Sequence, residues 1–117
     1  MRVHDGEVHS LWPRVSTLAA AAFLFLATVA FAAAVHKVIQ KGRAFSVSEI
    51  TIARGDRVEF DNEDEFIHQI FVDSPEINYD SAEQPPGQMI YITFDRSGTF
   101  PVRCHIHPKM LLTVHVQ

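Results

Sequence analysis

One cysteine stands among the 117 residues, so no disulfide can form within the chain. Helical periodicity is nearly missing past residue 35, where apolar residues recur at every second position instead. Positive charge is scarce too: residues 35–117 carry eight Lys or Arg against twelve Asp or Glu. An acidic balance of that kind does not suit nucleic acid, whose phosphates demand clustered positive charge. Repeats and low-complexity tracts are also lacking, which leaves room for one small domain.

What the chain does have begins with a long apolar run, Leu18 to Val35, with Arg2 and Arg14 before it and small residues at its end. A basic start, an apolar centre and a small-residue finish are the layout of an export signal. Asp5 and Glu7 dilute the basic start. The run also reaches the lower limit for a membrane span, about 17 to 25 residues. Residues 1–34 are thus expected to be a signal peptide or an N-terminal membrane anchor, its apolar run a helix, and residues 35–117 the functional domain, in the periplasm or otherwise outside the cytoplasm. Export makes the single Cys104 informative, because an unpaired thiol in an oxidising compartment should be buried, reactive or bound to something.

Period-two alternation runs through the domain. A short strand is expected near Lys37 to Gln40. Ile50 and Ile52 precede the turn Arg54-Gly55-Asp56, and Val58 and Phe60 follow it, which reads as a hairpin. Asp61, Glu63, Asp64 and Glu65 then read as a solvated loop, with attraction of a basic partner as the alternative. His68, Ile70 and Val72 share a face, so His68 ends an inward row. Asp73 to Gln88, with Pro75, Pro85, Pro86 and Gly87, reads as a long connection of the type that crosses between sheets. Ile90, Ile92 and Phe94 form the next row, with Met89 on the opposite parity and off the core. Phe100, Val102 and Cys104 run inward, and so do Met110, Leu112, Val114 and Val116. Six to eight strands with frequent turns predict an all-β antiparallel sandwich.

This parity puts His68, Cys104 and Met110 at the inward ends of three strands, with His107 in the loop between two of them. Cys104-His105-Ile106-His107-Pro108-Lys109-Met110 gathers the only cysteine, two histidines and a methionine. Sulfur donors favour copper(I), zinc or iron–sulfur iron and imidazole suits copper and zinc, so the mixture points first to copper. Two imidazoles and a thiolate with a weak methionine make the blue-copper electron-transfer site. The Cys104 thiol must lose its proton to bind, and a bound cation supplies the charge that favours the thiolate. A structural zinc site fits poorly, since such sites use two or more cysteines. A Cys104 nucleophile with a histidine base lacks an orienting third group. His36 and His115 read as surface residues, and His4 and His9 precede the apolar run and carry no function.

Cys-x2-His-x2-Met at Cys104, His107 and Met110, with Gly98-Thr99-Phe100 and Pro86-Gly87 upstream, resembles the cupredoxins, and within them the plastocyanin, pseudoazurin and amicyanin branch. The likeness spans about residues 44 to 117 and is strongest to small bacterial cupredoxins labelled methylamine-utilisation proteins. It implies a Greek-key sandwich holding one type 1 copper, with His68, Cys104 and His107 equatorial and Met110 axial. It also implies a monomeric, non-enzymatic one-electron carrier whose redox partners meet it near the His107 edge, and which touches a membrane only through an uncleaved N-terminal segment. The alternative is a copper(I)-binding or delivery module for another exported protein. Two positions depart from the family pattern: Gln69 stands where asparagine usually follows the first histidine, and His105 where serine or threonine often follows the cysteine. Hydrogen bonds around ligands set their orientation and the potential, so these two positions bear directly on the site.

Overall fold

The computed structural model describes Arg2, Gly6 and residues 12–14, 16–29 and 32–117. His4 and His9 lie outside the described residues, as do Ala30 and Phe31 of the apolar run. The helix expected over that run is not seen: residues 18–29 carry no regular secondary structure and are exposed. Among the described residues no helix is long and apolar enough to cross a membrane.

Among the described residues there are nine strands: β1 Val35–Lys41, β2 Ala44–Phe45, β3 Glu49–Ile52, β4 Arg57–Asn62, β5 Ile70–Asp73, β6 Asn78–Asp80, β7 Met89–Thr93, β8 Gly98–Cys104 and β9 Leu111–Val116. They make two sheets, one ordered β2-β1-β4-β7 and the other β3-β9-β8-β5-β6. The expected count of six to eight falls short because β2 and β6, at two and three residues, are too short to carry a period. Both sheets are mixed rather than antiparallel, since β1 runs parallel to β4 and β3 parallel to β9.

The expected hairpin between β3 and β4 does not form. The turn closed by Asp56 N–H donating to the Ala53 carbonyl at 3.0 Å joins strands of different sheets. Ile52 and Val58 both point into the interior, at 3% and 0% exposure, so the two rows face each other across the core rather than lying side by side. Asp56 ties the arch down. Its carboxylate accepts from the amides of Ala34 and Ala53, both at 3.0 Å, and contacts His36 Nε2 at 2.9 Å.

Strand parity otherwise holds. Phe60, Phe94, Phe100, Val102, Leu112 and Val114 are buried with Ile70 and Val72, while Met89 and Leu111 face outward. Gly98 shows why the Gly-Thr-Phe sequence is built as it is: a Cβ there would meet the Phe100 ring at 3.2 Å. The aromatic side chain thus folds back over its own strand's start. The connection Asp73 to Gln88 crosses between sheets as expected, since β6 and β7 lie in different ones, but it also carries a strand: β6 pairs back on β5, and Ile77 enters the core.

A polar seam lies beneath the end of the sandwich where the connection returns. Gln40, Asn62 and Gln84 are buried at 0%, 2% and 0% exposure. Gln40 Nε2 donates to Gln84 Oε1 at 2.8 Å, and Gln84 Nε2 donates to the carbonyls of Phe60 and Gln88. Asn62 Nδ2 donates to the carbonyls of Phe66 and Gln84. Side chains here do what a ladder would do for irregular backbone that is sealed from water.

Gln84→Leu keeps the volume but strands the Gln40 amide and two carbonyls. Urea unfolding of this variant should show a loss of at least about 1 to 3 kcal/mol, the penalty for a single orphaned buried polar group; an unchanged midpoint would mean the seam is not structural.

Candidate metal centre

Cys104 is the last residue of β8 and pairs in register with Ile70, which puts its side chain inward at 2% exposure. His68 stands just before β5, locked by two backbone hydrogen bonds with Gln84 at 3.0 and 2.7 Å. Between β8 and β9 the chain turns tightly, with the Met110 amide donating to the His107 carbonyl at 3.0 Å. Met110 is buried ahead of β9 while Ile106 is 45% exposed. One pole of the sandwich therefore receives His68, Cys104 and His107, and Met110 is buried just ahead of β9.

His68, Cys104 and His107 offer ligand atoms within 4.8 Å of one another. Sγ lies 3.8 Å from His68 Nδ1 and 3.7 Å from His107 Nδ1, and the two nitrogens are 3.2 Å apart. A triangle with those sides has its centre about 2.1 Å from each corner, close to a metal–imidazole bond length of about 2.0–2.1 Å. The residues fit a small metal ion. With thiolate and thioether sulfur beside two imidazoles, the donor set fits copper better than zinc, and the four residues form a candidate copper site.

The outer atoms of the donors are tied as well. His68 Nε2 lies 3.0 Å from Asp64 Oδ2, with the imidazole at 0% and the carboxylate at 5% exposure. Burial pushes the Asp64 carboxyl upward, but the Arg43 amide, the His68 ring and the Glu65 amide together hold it below its usual range. An ionised carboxylate only accepts. His68 Nε2 is therefore the donor of this pair, and Nδ1 is the ring nitrogen turned toward the cluster. The acidic stretch is thus not a simple solvated loop. Asp64 N–H donates to Asn62 Oδ1 at 2.9 Å, which turns the chain so that Asp64 faces inward while Glu63 and Glu65 remain exposed.

The two departures noted in the sequence meet in one network. Gln69 N–H points at the Cys104 sulfur with N···S at 3.4 Å, so the sulfur contact comes from the backbone and does not need asparagine. The Gln69 side chain donates to Asp80 Oδ1 at 2.9 Å, and Asp80 Oδ2 lies 3.1 Å from His105 Nε2. His105 stacks on Phe71 with ring centroids 3.7 Å apart and planes 10° from parallel. Its backbone amide donates to the Gln69 carbonyl at 2.9 Å. His105 thus faces outward from β8, away from the three converging donors.

His107 is half-buried and forms one wall of a shallow groove of about 300 Å³ with Arg43, Ile106, Pro108 and Lys109. Burial, then the nearby His68 and Arg43, push its proton affinity below the ordinary histidine range. Sequence reasoning missed Asp64, Asp80, Phe66 and Gln84 as parts of this pole. Asn62-Glu63-Asp64 carries the Asx-turn signal, but nothing local marks which carboxylate turns inward.

No family model and no curated protein matches the chain. Solved structures do. A copper-containing nitrite reductase from Thermus scotoductus SA-01 matches with 27% identity and a TM-score of 0.64 over 70% of this chain, which is only 22% of the reductase. A purple cupredoxin from Nitrosopumilus maritimus matches at 19% identity over 70% of this chain and 99% of its own, TM-score 0.62. Amicyanin from Paracoccus versutus matches at 22% identity over 71% and 81%, TM-score 0.65.

Because the folded protein keeps His107 neutral where an unfolded chain would protonate it, the metal-free protein should hold full stability above the ordinary histidine pKa. It should lose stability as pH falls through that value toward the depressed folded one. Urea midpoints taken at about pH 7 and about pH 5 should fall on acidification, and less so in His107→Gln; equal slopes in both proteins would contradict the assignment. The chain thus has a cupredoxin-like fold, and its His-Cys-His cluster fits a blue copper site.

Proposed function

We propose that the chain is an exported type 1 copper protein that carries single electrons and performs no substrate chemistry of its own. His68, Cys104 and His107 would hold copper in the equatorial positions and Met110 would make the weak axial bond. The observation that carries this reading is the convergence of Sγ and two Nδ1 atoms around one point, at 3.8, 3.7 and 3.2 Å from one another. Copper bound there supplies a one-electron couple between copper(II) and copper(I).

The protein's own part is to keep the donors still. Imidazole nitrogen satisfies the oxidised ion and sulfur the reduced one, so a fixed mixed site serves both states with little rearrangement. Three of the donors, His68, Cys104 and Met110, sit on or beside strand ends, and His68 is clamped on its far side by Asp64 and along its backbone by Gln84. His107 has an edge toward the groove, where a redox partner would approach. The groove is lined by the apolar Ile106 and Pro108 together with the cationic Arg43 and Lys109. Residues 18–35 support export, with residues 1–34 as signal peptide or anchor and residues 35–117 as the electron-carrying domain, working in the periplasm.

Copper delivery to another protein is the rival reading, suggested by His105 beside the donors and by the missing asparagine. His105 is engaged by Phe71 and Asp80, and the Gln69 amide already faces the sulfur. Both features therefore favour a held ion over a transferred one. Catalysis of the nitrite reductase type is not proposed, as the match spans a minor part of that enzyme.

Ligand variants test the assignment. Cys104→Ser should lose the reversible one-electron wave in voltammetry, whereas Met110→Leu should keep one copper per chain and shift its potential, because the axial bond tunes rather than anchors. His115→Ala, whose ring contacts Thr99 and Glu49, should change neither. Equal loss of copper from the Cys104 and Met110 variants would argue against a type 1 site.

A further inference from the structure

Arg43 offers no donor to the cluster, yet both imidazoles trace back to it. β1 and β2 are joined by a two-residue turn, Gly42-Arg43, closed by pairing of Lys41 with Ala44. Both turn residues have positive φ, +62° at Gly42 and +55° at Arg43. Tight hairpins require this left-handed backbone at both central positions, and the second is ordinarily glycine. An arginine there is disfavoured by its Cβ, so the turn is held by contacts made elsewhere.

Those contacts lead to the two rings by separate routes. The Arg43 amide donates to Asp64 Oδ2 at 2.8 Å, the same oxygen that faces His68 Nε2 at 3.0 Å. The Arg43 guanidinium lies over the Phe66 ring, 4.0 Å from its centre. Phe66 in turn meets the His107 ring in an edge-on arrangement with centroids 6.1 Å apart. The guanidinium face is a good partner for an aromatic ring in a half-exposed setting, because Arg is weakly hydrated and planar. The backbone of one residue thus stands behind His68, and its side chain stands behind His107.

We propose that Arg43 is a positioning residue of the candidate copper site: the Gly42-Arg43 turn fixes His68 through Asp64 and His107 through Phe66, holding the two Nδ1 atoms together in the metal-free protein. The metal-binding consequence rests on the copper reading above; the brace itself does not. His68 cannot turn without losing its contact with Asp64, nor His107 without leaving the edge of Phe66. The same residue lines the groove beside His107, so the brace lies at the surface a partner would meet.

The two routes separate by substitution in the full chain. Arg43→Gly keeps the left-handed turn and the amide but removes the guanidinium. Arg43→Val, being β-branched, resists the positive φ and should loosen both routes. In proton–nitrogen NMR of the metal-free protein, the wild type should show a slowly exchanging His68 Nε2 proton and one set of sharp His107 ring signals. The glycine variant should keep the His68 proton and broaden or multiply the His107 signals. The valine variant should lose protection at His68 as well, and its copper affinity should fall by about 10 to 100-fold, the usual effect of removing a partner behind a metal ligand. Sharp, single His107 signals in the glycine variant would overturn the proposal, and that variant suffices should the valine chain fail to fold. The expected NMR changes with unaltered copper affinity would overturn the role of the brace in positioning the metal, whereas a wild type that binds no copper while showing those NMR changes would leave the brace standing and sink the copper reading alone.

Discussion

Two imidazole nitrogens 3.2 Å apart, with a sulfur 3.7 and 3.8 Å from them, can stay together only by sharing protons or a cation. Lone pairs aimed at a common point repel, and in water such side chains would turn apart. The protein prevents this from behind. Asp64 holds the far side of the His68 ring, Gln84 clamps its backbone, and the end of β8 fixes Cys104. The buried seam of Gln40, Asn62 and Gln84 supports the loops that carry these groups. Much of one pole of the sandwich is thus organised around keeping mutually unfavourable groups in place.

That arrangement explains why so much polarity is sealed in so small a core. Asp64 is buried beside a buried histidine, a pairing that would be costly without the amides of Arg43 and Glu65 on the carboxylate. Gln69 and His105, which look from the sequence like weaknesses, share Asp80 on the outer face of the sheet. The sulfur keeps its backbone amide, and the side chains that differ from the family pattern tie β5 to β8 from outside. A different side-chain vocabulary leaves the pole intact because the essential contact to sulfur uses the main chain.

The parts legible in the sequence are those governed by period and parity. Alternation along Phe100, Val102 and Cys104 and along Met110, Leu112 and Val114 follows from the pleat alone, and it places the donors at strand ends. Partner choice was not legible. Nothing between Ile52 and Val58 distinguishes a hairpin from an arch between sheets, because both bury the same residues; the difference lies in β9, which takes β3 as a parallel neighbour. The inward carboxylate was equally hidden. Asp61, Glu63, Asp64 and Glu65 read alike until the Asx turn at Asn62 sorts them, and Arg43 becomes meaningful only when its turn is seen to back both histidines.

The visible and electron-spin resonance spectra of residues 35–117 loaded with one copper(II) bear on the central claim most directly. If Cys104, His68 and His107 hold the ion as their geometry suggests, the protein should be intensely coloured by thiolate-to-copper charge transfer, and reduction to copper(I) should bleach it reversibly. A tightly bound but colourless copper(II) adduct, with Cys104 still open to alkylation, would contradict it.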